Sequence, residues 1–238
     1  MVRRSWFRLG SLLLALAGLT SCAPGNPGLI VLNVVSPNGQ CLFDTGNAFQ
    51  SAGVLDVTGP DRGVLTGYTA AFRVGNQLIN LSQSGTSGPP IADPNSMTIV
   101  GMEVELQDIA GSPLDLGGLP NPFSIPASGA ALPSSDGSAV SEGLTIAEIV
   151  PLIYVDALRG SAGSQILAQV QAVGRTQGDA EVVSMPFSFP ITLCTECLFG
   201  CARDEDEAPI CQATCFPGQD GVQTTCTDIV GICSVGDM

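Results

Sequence analysis

An alternation of apolar and polar residues runs from Leu29 to Leu193, and it restricts the fold more than any other feature of the chain. A period of two places successive side chains on opposite faces of a β-strand, which predicts strands with one buried and one wet face. The clearest inward-facing sets are Tyr68, Ala70, Phe72 and Val74; Val100, Met102, Val104 and Leu106; Ile166, Ala168, Val170 and Ala172; and Val183, Met185, Phe187 and Phe189.

Shorter apolar runs add four more candidate strands, namely Ile30–Val35, Val54–Val57, Phe123–Ile125 and Ile149–Val155. Gly178-Asp179 predicts a tight turn between two of the longer strands. Pro186 and Pro190 place the strand that contains them at an edge or a bulge. Ser141–Ile149 is the best candidate for one or two helical turns. About eight strands with Gly/Pro-rich connections predict an all-β fold, an antiparallel immunoglobulin-like β-sandwich over residues 29–193.

The N-terminus has the features of an export signal. An apolar run from Leu9 to Leu19 follows three basic residues, Arg3, Arg4 and Arg8. A secretory signal peptide shows this order of a basic and then an apolar segment. The run is shorter than the roughly 20 apolar residues that a membrane-spanning helix needs. We therefore expect residues 1–21 to be removed as a signal peptide.

The apolar run ends in Leu19-Thr20-Ser21-Cys22, which resembles a lipobox, the site where a bacterial lipoprotein is cleaved and its cysteine receives lipid. Residues 22–28 then form a lipidated, flexible tether. Two or more acyl chains give stable attachment. Because residue 23 is Ala and not an inner-membrane retention Asp, we expect the outer membrane, at its periplasmic or surface-exposed face.

Eight cysteines remain once Cys22 carries lipid, and an even number in an exported protein predicts a disulfide framework. They are Cys41, Cys194, Cys197, Cys201, Cys211, Cys215, Cys226 and Cys233. Seven of them lie in residues 194–238, which we interpret as a small disulfide-rich C-terminal module. Seven cannot pair among themselves, so full oxidation requires a bond between Cys41 and this module.

The C-terminal module allows three further interpretations. Cys194-x-x-Cys197 and Cys211-x-x-x-Cys215 have the spacing of a four-thiolate zinc site, which export disfavours. A redox-active Cys-x-x-Cys is usually followed by a helix, and no helical pattern follows Cys197. Asp204–Glu207 offers oxygen ligands for calcium but lacks the spacing of an EF-hand, so we expect a solvated loop. We predict no metal and no cofactor.

Charge and missing residue types exclude several functions. After residue 21 the chain holds five Arg against 22 acidic residues, a formal charge of −17, which argues against nucleic acid as a partner. His and Lys are absent, which excludes histidine-activated nucleophiles, histidine metal sites and Schiff-base lysines. We expect a non-enzymatic binding or structural module, attached to the membrane through Cys22, with an envelope protein as its possible partner.

One motif suggests catalysis. Leu42-Phe43-Asp44-Thr45-Gly46 resembles the active-site loop of aspartic peptidases, and Ile99-Val100-Gly101 resembles their downstream apolar-apolar-Gly element. A single Asp44 implies a homodimer, because two carboxylates must share a proton. Asn47 replaces the small residue of that family. The alternative is a turn in which Asp44 and Asn47 bond their own backbone.

Six stretches carry a family resemblance: Cys41–Asp44, Gly53–Val57, Val74–Leu78, Pro122–Pro126, Ile166–Gly174 and Cys215–Asp220. Together they resemble a set of myxobacterial lipoproteins whose function is unknown, and the likeness extends over nearly all of residues 22–238. The resemblance implies an outer-membrane lipoprotein. It supplies no catalytic residues that could be transferred to this chain.

Overall fold

A computed structural model of the chain describes residues 28–58, 67–80, 93–137, 139–195, 197–198 and 219–220. These ranges contain eleven strands, one α-helix (α1, Leu152–Leu158) and a 3-10 turn (Arg159–Ser161). The strands are β1 (Leu29–Val35), β2 (Phe49–Gln50), β3 (Gly53–Asp56), β4 (Tyr68–Asn76), β5 (Met97–Asp108), β6 (Phe123–Pro126), β7 (Ala131–Leu132), β8 (Ser141–Val150), β9 (Gln165–Thr176), β10 (Glu181–Val183) and β11 (Phe187–Cys194).

The strands form two sheets. One has the order β2-β1-β4-β8, and the other has the order β3-β11-β9-β5-β6, with β10 on β9 and β7 on β5. The strand pairs are antiparallel except for β3 and β11, which run parallel. The predicted β-sandwich is confirmed, with this one parallel pair as a departure from a purely antiparallel fold.

The core lies between the sheets. Along β4 and β9 the predicted inward residues are all buried, as the alternation requires. Aromatic pairs join the layers: Tyr68 of β4 lies 5.8 Å from Phe189 of β11 between ring centroids, and Phe72 meets Phe187 edge-on at 6.4 Å. Burying a large apolar side chain contributes about 1.5–3 kcal/mol. These pairs therefore hold the two sheets in one relative position.

Two inward-facing predictions are wrong. Val100 is 48 % exposed and Ile99 is buried, because β5 carries an extra residue opposite β9: Ile99 pairs with Gly174 and Gly101 with Val173. Such a β-bulge reverses the phase of the alternation. Met185 is 49 % exposed since the predicted strand is interrupted after Val183 and resumes at Phe187.

The helical prediction is also wrong. Ser141–Ile149 lies within β8 and pairs with β4 along its whole length. The predicted strand Ile149–Val155 ends at Val150, and α1 begins after Pro151. Proline fixes φ near −65° and suits the start of a helix, whereas it cannot donate within a sheet. α1 contacts β6 through Tyr154, which stacks on Phe123 with ring centroids 4.4 Å apart.

The predicted turn at Gly178-Asp179 is confirmed. Asp179 has φ +63°, and its N–H donates to Thr176 O at 2.9 Å, which closes the connection from β9 to β10. The first strand begins at Leu29 and the last ends at Cys194. In the part of the chain that the structure describes, no helix is long and apolar enough to cross a lipid bilayer.

Candidate functional site

A groove of about 390 Å³ opens between the two sheets, beside β1, β2 and β11. It is lined by Leu32, Asn33, Phe49, Gln50, Ser51, Phe187, Ser188 and Phe189. These residues provide three aromatic rings, one aliphatic side chain, two amides and two hydroxyls. Phe49 is 70 % exposed at the edge of the groove. The described lining contains no titratable group, so it suits binding better than proton transfer.

The groove lies where the strand pairing is incomplete. β2 pairs only with Val34 and Val35 of β1, and β3 pairs with β11 only from Ile191 onward. Among the described residues, β1 before Val34 therefore pairs with β4 alone, and β11 before Ile191 pairs with β9 alone. A bulge at Leu32 and the missing N–H of Pro190 interrupt both edges. Side chains rather than a regular row of backbone groups face the opening.

The inner wall of the groove leads to a buried polar cluster. Gln50 donates through Nε2 to the hydroxyl of Tyr68 at 3.1 Å and to Ala52 O at 3.0 Å. The hydroxyl of Tyr68, a fully buried residue, donates to Asp220 Oδ2. Gln50 thus belongs both to the groove lining and to the hydrogen-bond chain behind it.

Gln219 and Asp220 lie in the cysteine-rich C-terminal part of the sequence, and they bond to a strand of each sheet. Val54 N donates to Asp220 Oδ1 at 2.8 Å, and Asp220 N donates to Val54 O at 2.9 Å. The amide of Gln219 donates to Thr69 O at 2.7 Å and accepts from Thr69 N, where a β-bulge in β8 faces β4. The two residues therefore cover the edge of β3 and bond to β4 as well.

Burial determines the proton affinities in this cluster. Desolvation raises the pKa of Asp220, although hydrogen bonds from Tyr68, Gln50, Val54 and Gln219 oppose the increase. Desolvation also raises the pKa of Tyr68 far above its ordinary range, and the adjacent charge and hydrogen bond of Asp220 add to this. The Tyr68 hydroxyl therefore stays protonated and serves as a donor to the carboxylate.

A second polar cluster surrounds Asp56, which is fully buried at the end of β3. Its Oδ2 accepts from the backbone N–H groups of Cys197 at 3.0 Å and Leu198 at 3.1 Å. Its Oδ1 accepts from Thr58 N at 2.9 Å and from the Thr58 hydroxyl. A buried carboxylate is costly unless it is fully bonded, and four donors meet that requirement.

Cys194 and Cys197 form a disulfide with each other, with Cα atoms 5.9 Å apart. Their sulfurs and a carboxylate oxygen of Asp56 lie within 4.8 Å of one another, an arrangement that could hold a metal ion. The sulfurs are bonded to each other, however, and the carboxylate already accepts four hydrogen bonds. The arrangement therefore fits a structural clamp on the turn after β11 better than a zinc site.

Asp44 lies on an exposed loop between β1 and β2. Its Oδ1 accepts from Gly46 N at 2.9 Å, and Asn47 N donates to Asp44 O at 3.0 Å. Asn47 also donates through Nδ2 to Ser36 O and Leu42 O. These bonds are those of the predicted turn. Gly101 of the other peptidase-like element lies in the opposite sheet.

Several predicted positions lie outside the described residues: Cys22, Cys201, Cys211, Cys215, Cys226, Cys233 and the acidic run Asp204–Glu207. Cys41 is described. It is exposed, has φ +62° and is disulfide-bonded. Since Cys194 and Cys197 bond to each other, the partner of Cys41 is not among the described residues.

The sequence pattern did not single out the groove or either carboxylate cluster. Asp56 had a detectable signal, because it is the one charged residue in the apolar strand Val54–Val57 and a buried strand tolerates a charge only when it is bonded. The groove had none. Its lining comes from three strands and depends on a bulge, which alternation alone does not reveal.

Comparisons with known proteins add little. No protein-family model matches the chain, and no curated protein matches it either. Among solved structures, the CooA pilin subunit from enterotoxigenic Escherichia coli is similar, with a TM-score of 0.28 and 14 % identity, over 71 % of this chain and 99 % of the pilin. At so low a TM-score the likeness carries no argument.

Proposed function

We propose that the chain is an exported lipoprotein of the bacterial cell envelope, held in the outer membrane by acyl chains on Cys22, and that it is a non-enzymatic binding module. The sequence Leu19-Thr20-Ser21-Cys22 after a short apolar run supports the anchor. The acidic composition supports attachment through lipid rather than through charge, because anionic headgroups repel an acidic surface.

The groove between the sheets is the observation that carries the binding role. It combines an exposed Phe49 with buried or half-buried rings of β11 and with the uncharged polar groups of Asn33, Gln50 and Ser51. Ligand sites in proteins have this composition, mostly apolar with a few fixed polar groups. The interrupted strand edges favour an occupant that inserts an apolar side chain or ring.

Catalysis has no support from the described residues. The groove has no nucleophile next to a base, and the Asp44 carboxylate is bonded to its own turn. A homodimeric aspartic peptidase would need two such carboxylates facing each other across a dyad. The binding module is therefore the function that the geometry supports best.

A photo-crosslinking residue at position 49, in the anchored protein in its native envelope, tests this role. We expect a discrete adduct at position 49 that is lost when Ser188→Trp fills the groove. The matched control position is Ile109, which is 72 % exposed in the connection after β5, away from the groove lining. Equal labelling at both positions, or no adduct at position 49, would refute a binding role for the groove.

A further inference from the structure

Opening the disulfide between Cys194 and Cys197 would cost less folding stability than opening a disulfide between distant parts of the chain. The bond from Cys194 to Cys197 joins residues only three apart, so it removes little entropy from the unfolded chain. Both cysteines are half-buried, which leaves them partly accessible to another thiol. β11 ends at Cys194, and its hydrogen bonds to β9 and β3 are made by backbone groups and not by the sulfurs.

The surroundings of the pair suit a reduced state as well as the oxidised one. Asp56 holds the turn through the backbone N–H groups of Cys197 and Leu198, and these bonds do not require the disulfide. The carbonyl oxygen of Leu55 lies 3.6 Å from Cys194 Sγ. It would accept a hydrogen bond from the thiol that reduction creates. The Asp56 carboxylate and the Cys194 sulfur would therefore have polar partners in the reduced state as well as in the oxidised state.

We infer that Cys194 and Cys197, although no helical pattern follows Cys197 as in a thioredoxin-like site, form a redox-active pair. With the envelope location of the proposed function, the pair would exchange with dithiols or disulfides of other envelope proteins while the sandwich stays folded. Asp56 is its positioning residue. This inference goes beyond the proposed binding role and does not depend on the groove.

The exchange conserves atoms and electrons. A thiolate of a partner dithiol attacks one sulfur of the pair, the S–S bond breaks, and a mixed disulfide forms. The second thiol of the partner then attacks that mixed disulfide. The partner leaves with a new disulfide, having lost two electrons and two protons, and Cys194 and Cys197 become two thiols. The reverse reaction oxidises the pair and reduces a partner disulfide.

Graded redox buffers test the inference on the full mature protein. The oxidised protein is equilibrated in mixtures of reduced and oxidised dithiothreitol, free thiols are alkylated, and each cysteine is located by peptide mass. We expect Cys194 and Cys197 to be labelled under weaker reduction than Cys41, with the far-ultraviolet circular dichroism of the sheets unchanged. Labelling of the pair only together with Cys41, as the sheet signal disappears, would make the disulfide a structural staple and overturn the inference.

Asp56→Asn tests the positioning role. The Asn side chain has one acceptor oxygen in place of two, so it cannot accept all the hydrogen bonds that Asp56 accepts. The turn that brings the two thiols together is then held less firmly. We expect the equilibrium in the same buffers to move toward the dithiol by up to about tenfold, because the hydrogen bond stabilises the ordered disulfide more than the freer dithiol and its full strength sets the upper limit. Asp108→Asn is the matched control, because Asp108 also accepts from two backbone N–H groups, of Ala110 and Ser112.

Thr58→Val provides a second variant if Asp56→Asn does not fold. It keeps the carboxylate and removes only the hydroxyl donor to Oδ1. We expect a smaller displacement of the same equilibrium in the same direction. Equilibria equal to that of the wild-type protein in the folded variants would show that Asp56 does not position the pair.

Discussion

Replacing Tyr68 by Phe removes a single hydroxyl from the interior and leaves the ring against Phe189. That hydroxyl donates to Asp220 and accepts from Gln50. A hydrogen bond to a charged group contributes about 1.5–3 kcal/mol, and a neutral one about 0.5–1.5 kcal/mol. We expect the free energy of unfolding to fall by about 2–3 kcal/mol near neutral pH. For a domain of this size the melting temperature would fall by about 5–10 °C.

The effect of Tyr68→Phe should depend on pH. Burial raises the pKa of Asp220, so the folded state binds this proton more tightly than the unfolded state. Stability from this carboxyl is therefore full at pH values below its ordinary pKa and is lost as pH rises through its folded pKa. The Tyr68 hydroxyl limits that loss because it donates to the ionised form. Without it, the variant should lose more stability at pH 8 than at pH 4.

Urea unfolding of the wild type and the variant at both pH values provides the assay. Tyr154→Phe is the matched control, because the hydroxyl of Tyr154 donates to a neutral acceptor, Pro120 O, at 2.9 Å. We expect this control to cost about 1 kcal/mol at either pH. A Tyr68→Phe variant as stable as the wild type at pH 8, or one with the same deficit at pH 4 and pH 8, would show that the Tyr68 hydroxyl does not stabilise the ionised carboxyl of Asp220.

Three further outcomes follow from the described contacts. Gly53→Ala should destabilise the protein by about 1–3 kcal/mol in urea, because the added Cβ would meet the Tyr68 hydroxyl; wild-type stability would contradict this. Asn76→Ala should cost about 2–4 kcal/mol in the same assay, since its buried amide donates to carbonyl oxygens of Asn95, Leu132 and Pro133, and a loss under 1 kcal/mol would refute that role. Burial raises the pKa of Tyr68 above its ordinary value. The stabilisation of the folded state by its protonated hydroxyl is therefore lost progressively as pH rises above about 10. Tyrosinate absorbance from Tyr68 should then appear only with unfolding, and ionisation in the folded protein would contradict it.

The alternation of residue types was enough to predict most of the sandwich. β4 and β9 follow it without interruption, because each is paired on both sides and packs one face on the core. Val100 and Met185 departed from it for local reasons, an extra residue in β5 and a break before β11. α1 was missed since Leu152–Leu158 is too short for its period to be distinguished from that of a strand.

The candidate sites were much harder to predict. Asp220 meets Val54 across 166 residues of chain and Asp56 meets Cys197 across 141, so no local pattern contains either contact. The groove depends on where two strand pairings stop. Pro190 gave a partial signal, because a strand proline indicates an edge, and the β3 pairing does begin one residue later.

The proposed function requires lipid attachment at Cys22, and the intact mass of the membrane-purified protein measures this attachment. We expect a mass equal to residues 22–238 plus diacylglycerol and a further acyl chain, and we expect a Cys22→Ser variant to be absent from the membrane fraction. An unmodified chain that keeps residues 1–21, or a Cys22→Ser variant found in the membrane in normal amounts, would contradict it.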